Sequence, residues 1–536
     1  MFRRILRKKQ TSRRHVEKVK STYVAVAGTL GRTPQSPEDS YGDLLKDVQV
    51  TQVLGDGKRF VDMVPKGKKI KKQYEVQRQQ AGFSLKDFVD TNFEAQPILN
   101  KKSGSLPATA ATAREHIRQL WPYLERTNRK QHGSLLALPY TYVVPGGRFD
   151  EQFYWDSYFI MLGLAADDKW DILLGMVRNH AYMLRKYGRI PNASRSYFLS
   201  RSQPPFFAQM IILLAKRRGR TRTYAEFLPY LLIEYRFWTH GRREAMKQST
   251  PTLHNRLVRM PNGALLGRYF DDRHTPRPEM SREDRQTAQN ISDENAKEQL
   301  YLNLRAGAES GWDFSSRWFR VADEIQSIQT TNMAAIDLNS MLYTLESTIA
   351  EAYTLIKQPL LATSFRKAAE RRAETIRRYC WDESERFFCD YDTSTYNSSG
   401  RVTLAGLFPL YTKIATKEQA AFLAKRIETD FLKPGGLVTT LVTSGQQWDA
   451  PNGWAPLQWV AIHGLREYGY HELANEIRRR WLLANDLVYA KYQKMIEKYN
   501  VVHPGELGGG GEYEVQDGFG WTNGVYAALD DEGEKQ

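Results

Sequence analysis

Seven carboxylates stand in or beside segments that mix indole and phenol rings with planar polar groups: Asp156, Asp271, Glu279, Asp313, Asp449, Glu512 and Asp517. Hydrolysis of a glycosidic bond needs two such groups across one scissile bond, one to protonate the departing oxygen and one to act as base or nucleophile. Asp313 lies between Trp312 and Phe314, where loss of hydration raises a carboxyl pKa and keeps the group protonated. Glu512 follows four glycines, Gly508 to Gly511, a run expected to form a mobile loop that closes over a ligand. Residue type alone does not single out this pair from the seven.

The segments that carry these groups span 145–159, 191–205, 268–279, 309–318, 444–456 and 508–524, and they hold six of the chain's 12 Trp in less than a fifth of its length. Aromatic faces cover the apolar faces of a ligand while polar groups fix its orientation. A sugar needs both, having hydroxyls at its edge and C–H bonds on its faces. Other chemistries find no purchase. There is no GxxxxGK[ST] phosphate loop, no HExxH or similar metal spacing among the ten His, and no GxSxG elbow. No metal or cofactor is expected.

Loops of this kind need a rigid frame. From about residue 107 apolar residues recur at steps of three and four, most clearly at Leu338, Met341, Leu342, Leu345, Ile349, Tyr353 and Ile356, one face of a long helix. Tyr224 to Trp238, Gln419 to Phe431 and His471 to Tyr489 follow the same period. Phe83 to Phe93 reads as a shorter helix. Alternating patterns are scarce, Leu437 to Val442 being the best strand candidate. The body is therefore all-α, and six loops between helical pairs would suit a toroid whose loops converge at one mouth.

The net charge of +16 is unevenly spread. Residues 1–20 hold nine Lys/Arg against one Glu, so the body is nearly balanced and a basic extension carries most of the excess. Residues 1–36 are expected to be a flexible extension, 37–530 one catalytic domain and 531–536 an acidic tail. The extension lacks the interleaved aromatics of a nucleic-acid platform, and no apolar run approaches the roughly 20 residues that span a bilayer. Neither nucleic acid nor membrane is an expected partner. Two Cys without metal or redox spacing, and no recognisable signal peptide, point to the cytoplasm, with the periplasm as the alternative. A monomer is expected.

Taken in order, the segments resemble the signatures of glycoside hydrolase family 37, the trehalases. PGGRFDEQFYWDSY over 145–158 is similar to one signature, with Phe153 where Tyr is usual, and QWDAPNGWAP over 447–456 is similar to the other. Arg195-Ser-Tyr, Ser200 to Pro205, Arg277-Pro-Glu279, Glu309 to Trp318 and Gly508 to Gly524 agree in sequence order. The resemblance implies an (α/α)₆ toroid that hydrolyses α,α-trehalose to two glucose molecules with inversion and without a cofactor. It places the general acid on Asp313 and the general base on Glu512. Substrate contacts fall on Arg148, Trp155, Asp156, Asn192, Arg201, Ser202, Gln203, Arg277, Pro278, Glu279 and Gly311, with Phe149, Trp448 and Trp454 as aromatic walls. Arg148, Arg201 and Arg277 are expected to grip hydroxyls and keep Glu512 ionised. Phe270 stands where the family usually has Trp, a departure expected to bear on pocket affinity. The alternatives are a related (α/α)₆ glycosidase acting on another glucoside, or a catalytically inactive sugar-binding protein.

Overall fold

A computed structural model describes residues 33–97, 99 and 110–534. Residues 1–32 of the expected extension lie outside the described residues. Among the described residues, six helices form an inner ring: Tyr154–Ala166, Phe207–Arg218, Ile336–Leu355, Phe408–Tyr411, Ala455–Glu467 and Gly520–Glu534. Each packs against the next and the last returns to the first. The outer partners alternate with them along the chain: Ala113–Leu124, Trp170–Tyr187, Arg220–Trp238, Pro359–Tyr379, Lys417–Arg426 and His471–Tyr492. This is an (α/α)₆ toroid.

Composition separates the two rings. The inner Tyr154–Ala166 helix buries every residue from Tyr154 to Leu164, as a helix apolar all round must. The outer Pro359–Tyr379 helix buries a narrow stripe that includes Ala362, Ala369, Ala373 and Ile376. The stripe read from Leu338 onward belongs to the inner Ile336–Leu355 helix, which also buries Thr344, Glu346 and Thr348. Those polar groups are satisfied in place: Arg372 of the outer neighbour pairs with Glu346 at 2.8 Å, and Thr348 donates to the Thr344 carbonyl at 2.8 Å.

The ring closes where two glycines meet. A Cβ on Gly163 would lie 2.6 Å from the Gly524 Cα, and one on Gly524 would lie 2.0 Å from the Phe159 carbonyl oxygen. Only bare backbones can approach so closely.

Strands are short pairs between helices. The expected strand over 437–442 contracts to Gly436–Leu437, which pairs with Leu432–Lys433. Beyond it, the Thr439 amide donates to the Asn452 carbonyl at 3.0 Å, so the chain serves loop packing rather than a ladder. At the other end, residues 531–534 do not form a separate tail. They continue the last helix to Glu534, with Glu532 accepting from Arg466 at 2.6 Å.

Residues 37–94 form a small helical cap with its own apolar cluster, in which Phe60, Phe88 and Phe93 pack with Phe153, Tyr197 and Phe198 of the body. Gln49 donates to the Pro278 carbonyl at 2.9 Å, and Asp56 pairs with Arg148 at 2.8 Å. The cap therefore sits against the loops that carry the carboxylates.

Candidate active site

The loops at one end of the toroid surround a cavity of about 750 Å³, counted out through its mouth into open solvent. Asp313, Glu512, Arg148, Phe149, Trp155, Asp156, Asn192, Arg201, Gln203, Arg277, Glu279, Gly311, Trp448 and Trp454 all line it. Ser202 and Pro278 do not. Ser202 faces away, its hydroxyl donating to the Ile190 carbonyl and its amide to Glu309, each at 2.7 Å. Pro278 is buried beneath the cap and offers its carbonyl to Gln49. Both hold the wall rather than form its surface. Phe270 lies outside the cavity and lines a different hollow, so the expected effect of this departure on the sugar pocket has no direct contact behind it.

Asp313 is set by a helix end. The Glu294–Ser310 helix stops at Gly311, whose φ is +75° and whose Cβ would strike the Trp155 ring at 2.9 Å. The following indole of Trp312 stacks on Trp448 at 5.3 Å, and Trp448 stacks on Trp454 at 3.9 Å. The Asp313 carbonyl accepts from Gln447, and the Phe314 carbonyl accepts from the Trp448 amide at 3.1 Å. Two ionic groups anchor the loop beyond. Asp449 accepts from Ser315, Ser316, Thr440 and Ser444. Arg317 lies between Trp312 and Trp318 and pairs with Asp337 and Asp390, each at 2.8 Å.

Glu512 receives two bonds from Arg277 Nη2, at 3.0 and 3.2 Å, and Arg277 is held in turn by Asp284 at 2.6 Å. Of the glycines before Glu512, Gly508, Gly510 and Gly511 pack closely against neighbours, while Gly509 has open space beside it. Gly510 has a φ of +80°, and its Cβ would lie 2.4 Å from the Gly445 carbonyl oxygen. The Gly509 carbonyl accepts from Asn452 at 2.7 Å.

Burial pushes the Asp313 carboxyl up to about 6 against the opposing charge of Arg277. Burial likewise pushes Glu512 up to about 7, with Arg277 opposing and Asp284 adding to the rise. Three arginines were expected to keep Glu512 ionised, but only Arg277 reaches it. Arg148 pairs with Asp56, and Arg201 with Glu279 at 2.5 Å. Asp156 rises well above the usual carboxylate range through burial, with the nearby charges of Glu497 and Asp313 adding to the effect. Burial acts on Glu279 too, but Arg201 and then Arg277 outweigh it and hold that carboxyl low.

Several polar atoms of the lining residues are buried without protein partners: Arg148 Nε, Asp156 Oδ2, Arg201 Nε and Glu279 Oε2. Buried polar atoms are ordinarily satisfied, so these suit a hydroxyl-rich ligand. Of the other candidate carboxylates, Asp271 and Asp449 are wholly buried supports, and Asp517 lies beside Lys494 at 3.9 Å. Among the described residues no group of three or more His, Cys, Asp or Glu could hold a metal ion, and no helix is long and apolar enough to cross a membrane.

The cavity also contains residues that sequence reasoning missed. Lys58, from the cap, reaches it while pairing with Asp62 and Glu151. Tyr513, Phe519 and Trp521 complete its aromatic wall. Glu497 lines it as well, accepting from Tyr513 at 3.0 Å and from Lys498 at 3.2 Å. In sequence, Glu497-Lys498 looks like the polar end of a helix, and only the following Val501-Val502 hints at burial.

The profile of the Trehalase family matches residues 52–531. A periplasmic trehalase of Salmonella choleraesuis (strain SC-B67) is 44% identical over 534 residues, covering 96% of this chain and 92% of that protein. One of Escherichia coli O1:K1 / APEC is 44% identical over 499 residues, covering 92% and 86%. Among solved structures, the neutral trehalase Nth1 of Saccharomyces cerevisiae is 26% identical and superposes with a TM-score of 0.61 over 91% of this chain and 94% of that one. A mannosylglycerate hydrolase of Thermus thermophilus, 18% identical with a TM-score of 0.50, shares the fold over 78% of this chain and 99% of its own. The expectation of a cytoplasmic protein does not stand beside relatives named periplasmic. It leaned on cysteine usage and on the lack of a recognisable signal peptide, and two buried free thiols carry no information about compartment.

Proposed function

The chain belongs to the trehalase family and is a glycosidase that hydrolyses trehalose; we propose that it does so with inversion, Asp313 acting as general acid and Glu512 as general base. The observation that carries this reading is the gathering, in one buried cavity, of a carboxyl raised by burial, a second carboxyl fixed by Arg277, stacked indoles and unpartnered polar atoms. Protonated Asp313 donates to the bridging oxygen as the bond to the anomeric carbon breaks. Glu512 takes a proton from a water that attacks that carbon from the opposite face. Inversion requires room for this water, with the carboxyl groups roughly 6.5–9.5 Å apart. Arg148, Arg201 and Arg277 hold hydroxyls through fixed donor forks, and the indoles cover the sugar faces. Proton NMR of the first products tests the stereochemistry. Equal α- and β-glucose are expected, and α-glucose alone would mean retention.

A second reading of the base is favoured by one observation. Glu497 is buried in the same cavity, its two oxygens held by bonds from a lysine and a phenol, so a further carboxyl group is fixed there, whereas burial works against ionised Glu512. Glu512→Gln and Glu497→Gln separate the two. The variant that lacks the base loses kcat by orders of magnitude and regains turnover with azide, giving a β-glucosyl azide. The variant that lacks an orienting carboxylate gains nothing from azide. Following the relatives' names, we assign the enzyme to the periplasm. Trehalose-cleaving activity in an osmotic-shock fraction of the source cells is the expected result.

A further inference from the structure

Behind the cavity wall lies a wholly buried lysine that the proposed reaction does not use. Lys498 exposes none of its side chain. Its ammonium donates to the Gln447 amide oxygen at 2.7 Å and to Glu497 at 3.2 Å. It also stands 5.0 Å from the centre of the Tyr513 ring and 5.3 Å from that of Trp454. Burying an ammonium is costly, and an apolar residue of similar volume often serves a fold as well or better. Stability is therefore a poor reason for a lysine at this position.

The fold fixes this lysine from two sides. The next residue opens the Tyr499–Asn500 strand, which pairs with Asn452–Gly453. Gly508 packs against the Lys498 carbonyl, where a Cβ would lie 2.5 Å from the oxygen. Gln447 is held as firmly, its own carbonyl accepting from Asn452 and from the Trp454 indole, each at 3.0 Å. An ammonium only donates and a carbonyl only accepts, so the Gln447 amide can face just one way. Its oxygen meets Lys498, and its nitrogen donates to the Asp313 carbonyl. Tyr513 donates to the second oxygen of Glu497 at 3.0 Å and meets the Gln447 side chain as well. Gly511, one residue before Glu512, packs on that side chain, from which a Cβ would lie 3.0 Å away. Asp313, Glu497 and the backbone before Glu512 therefore meet at Gln447 and Lys498.

We propose that Gln447 and Lys498 are positioning residues that set the acid against the base, Lys498 steadying Glu497 and Gln447 relaying the same anchor to Asp313. The proposal rests on Asp313 as the general acid, and it holds whichever of Glu512 and Glu497 is the base, since both border the pair. Moving one reacting group by about 1 Å can cost a hundredfold in rate. Arg148, Arg201 and Arg277, which hold hydroxyls, are tied instead to Asp56, Glu279 and Asp284. Loss of the pair should therefore act on kcat rather than on KM.

Steady-state kinetics on trehalose and on α-glucosyl fluoride test this. Fluoride leaves the anomeric carbon without a proton from the acid, whereas the bridging oxygen of trehalose needs one. Gln447→Met should lower kcat on trehalose by about a hundredfold, keep KM within about threefold, and cost about tenfold less on the fluoride. Lys498→Met should lower kcat on trehalose by about tenfold or more. The double variant should fall short of the product of the two single losses by about fivefold, because both cut one link. Asp313→Asn is the reference, and it should show the same preference for the fluoride. If Asp313→Asn loses equally on both substrates, the acid assignment fails and the proposal with it. If Asp313→Asn favours the fluoride and Gln447→Met does not, the proposal alone fails. Losses that multiply in the double variant, a KM that rises in step with the fall in kcat, or parent-like turnover of trehalose would overturn it too. Gln447→Asn, one methylene too short to span Lys498 and Asp313, should show the same preference and decides the matter if Gln447→Met does not fold.

Discussion

In the proposed mechanism Asp313 and Glu512 must be in opposite ionisation states, and burial raises both. On that mechanism activity needs Asp313 protonated, so it falls as pH climbs past about 6, and it needs Glu512 ionised, so it falls as pH drops below about 7. kcat/KM should therefore trace a narrow bell with its summit between those values, and a plateau several units wide would contradict the pairing. The same burial costs stability. The folded pKa of Asp313 lies above its usual 3.8, so its contribution to the fold is complete below about pH 4 and is lost as pH rises through about 6. Asp313→Asn cannot ionise, and at pH 8 it should be more stable than the parent by about 3 kcal/mol, with no difference near pH 4. Calorimetry at the two pH values checks this, and the same shift at both would show that charge burial is not the cause. Sequence made these residues legible where aromatic neighbours flagged them, as with Asp313 between Trp312 and Phe314. Glu497 had no such flag, because its partner Tyr513 is brought to it only by the fold. Ser202 and Pro278 sit within matching motifs, and a motif cannot tell a lining side chain from the one behind it.

The outer helices were the most legible elements, since Tyr224 to Trp238, Gln419 to Phe431 and His471 to Tyr489 carry the period of a helix with one buried face, whereas only Ile336–Leu355 was legible among the inner helices. Closure of the inner ring was not legible. Gly163 and Gly524 look like weak points in helical sequence, yet each is the place where two backbones touch. Gly524→Ala forces a methyl group to within 2.0 Å of the Phe159 carbonyl oxygen and should cost at least about 3 kcal/mol, beyond ordinary overpacking because the obstacle is backbone. Differential scanning calorimetry should show a lower Tm. Because Trp521 starts the same helix and lines the cavity, the KM for trehalose should rise as well. An unchanged melting profile would mean that the helices can part without loss. The glycine run before Glu512 is ambiguous for a related reason. Glycine signals either freedom or close approach, and at Gly510 the neighbouring Gly445 carbonyl decides for approach.

At the scale of the whole molecule, charge divides the chain differently from its fold. Most of the excess Lys and Arg precedes the body, whereas the cap over residues 37–94 is tied to the body by Asp56–Arg148, Glu38–Arg305 and Asp39–Arg273 pairs. The cap also sends Lys58 into the cavity. Sequence could not place a boundary here, because the cap's helices are short and its core is completed by Phe153 and Phe198 of the catalytic loops. Two truncation-scale predictions separate the basic segment from the cap. Removing residues 1–30 deletes charge but none of these pairs, so kcat and KM should stay within about twofold of the full chain. Asp56→Ala breaks a half-exposed pair that steadies Arg148 over Tyr513; such a pair contributes up to about 1 kcal/mol, so KM should rise by about two- to fivefold while kcat changes little. Steady-state kinetics on both forms decides between the regions. A tenfold loss of turnover on removing residues 1–30 would mean that the basic segment, and not the cap alone, helps build the site.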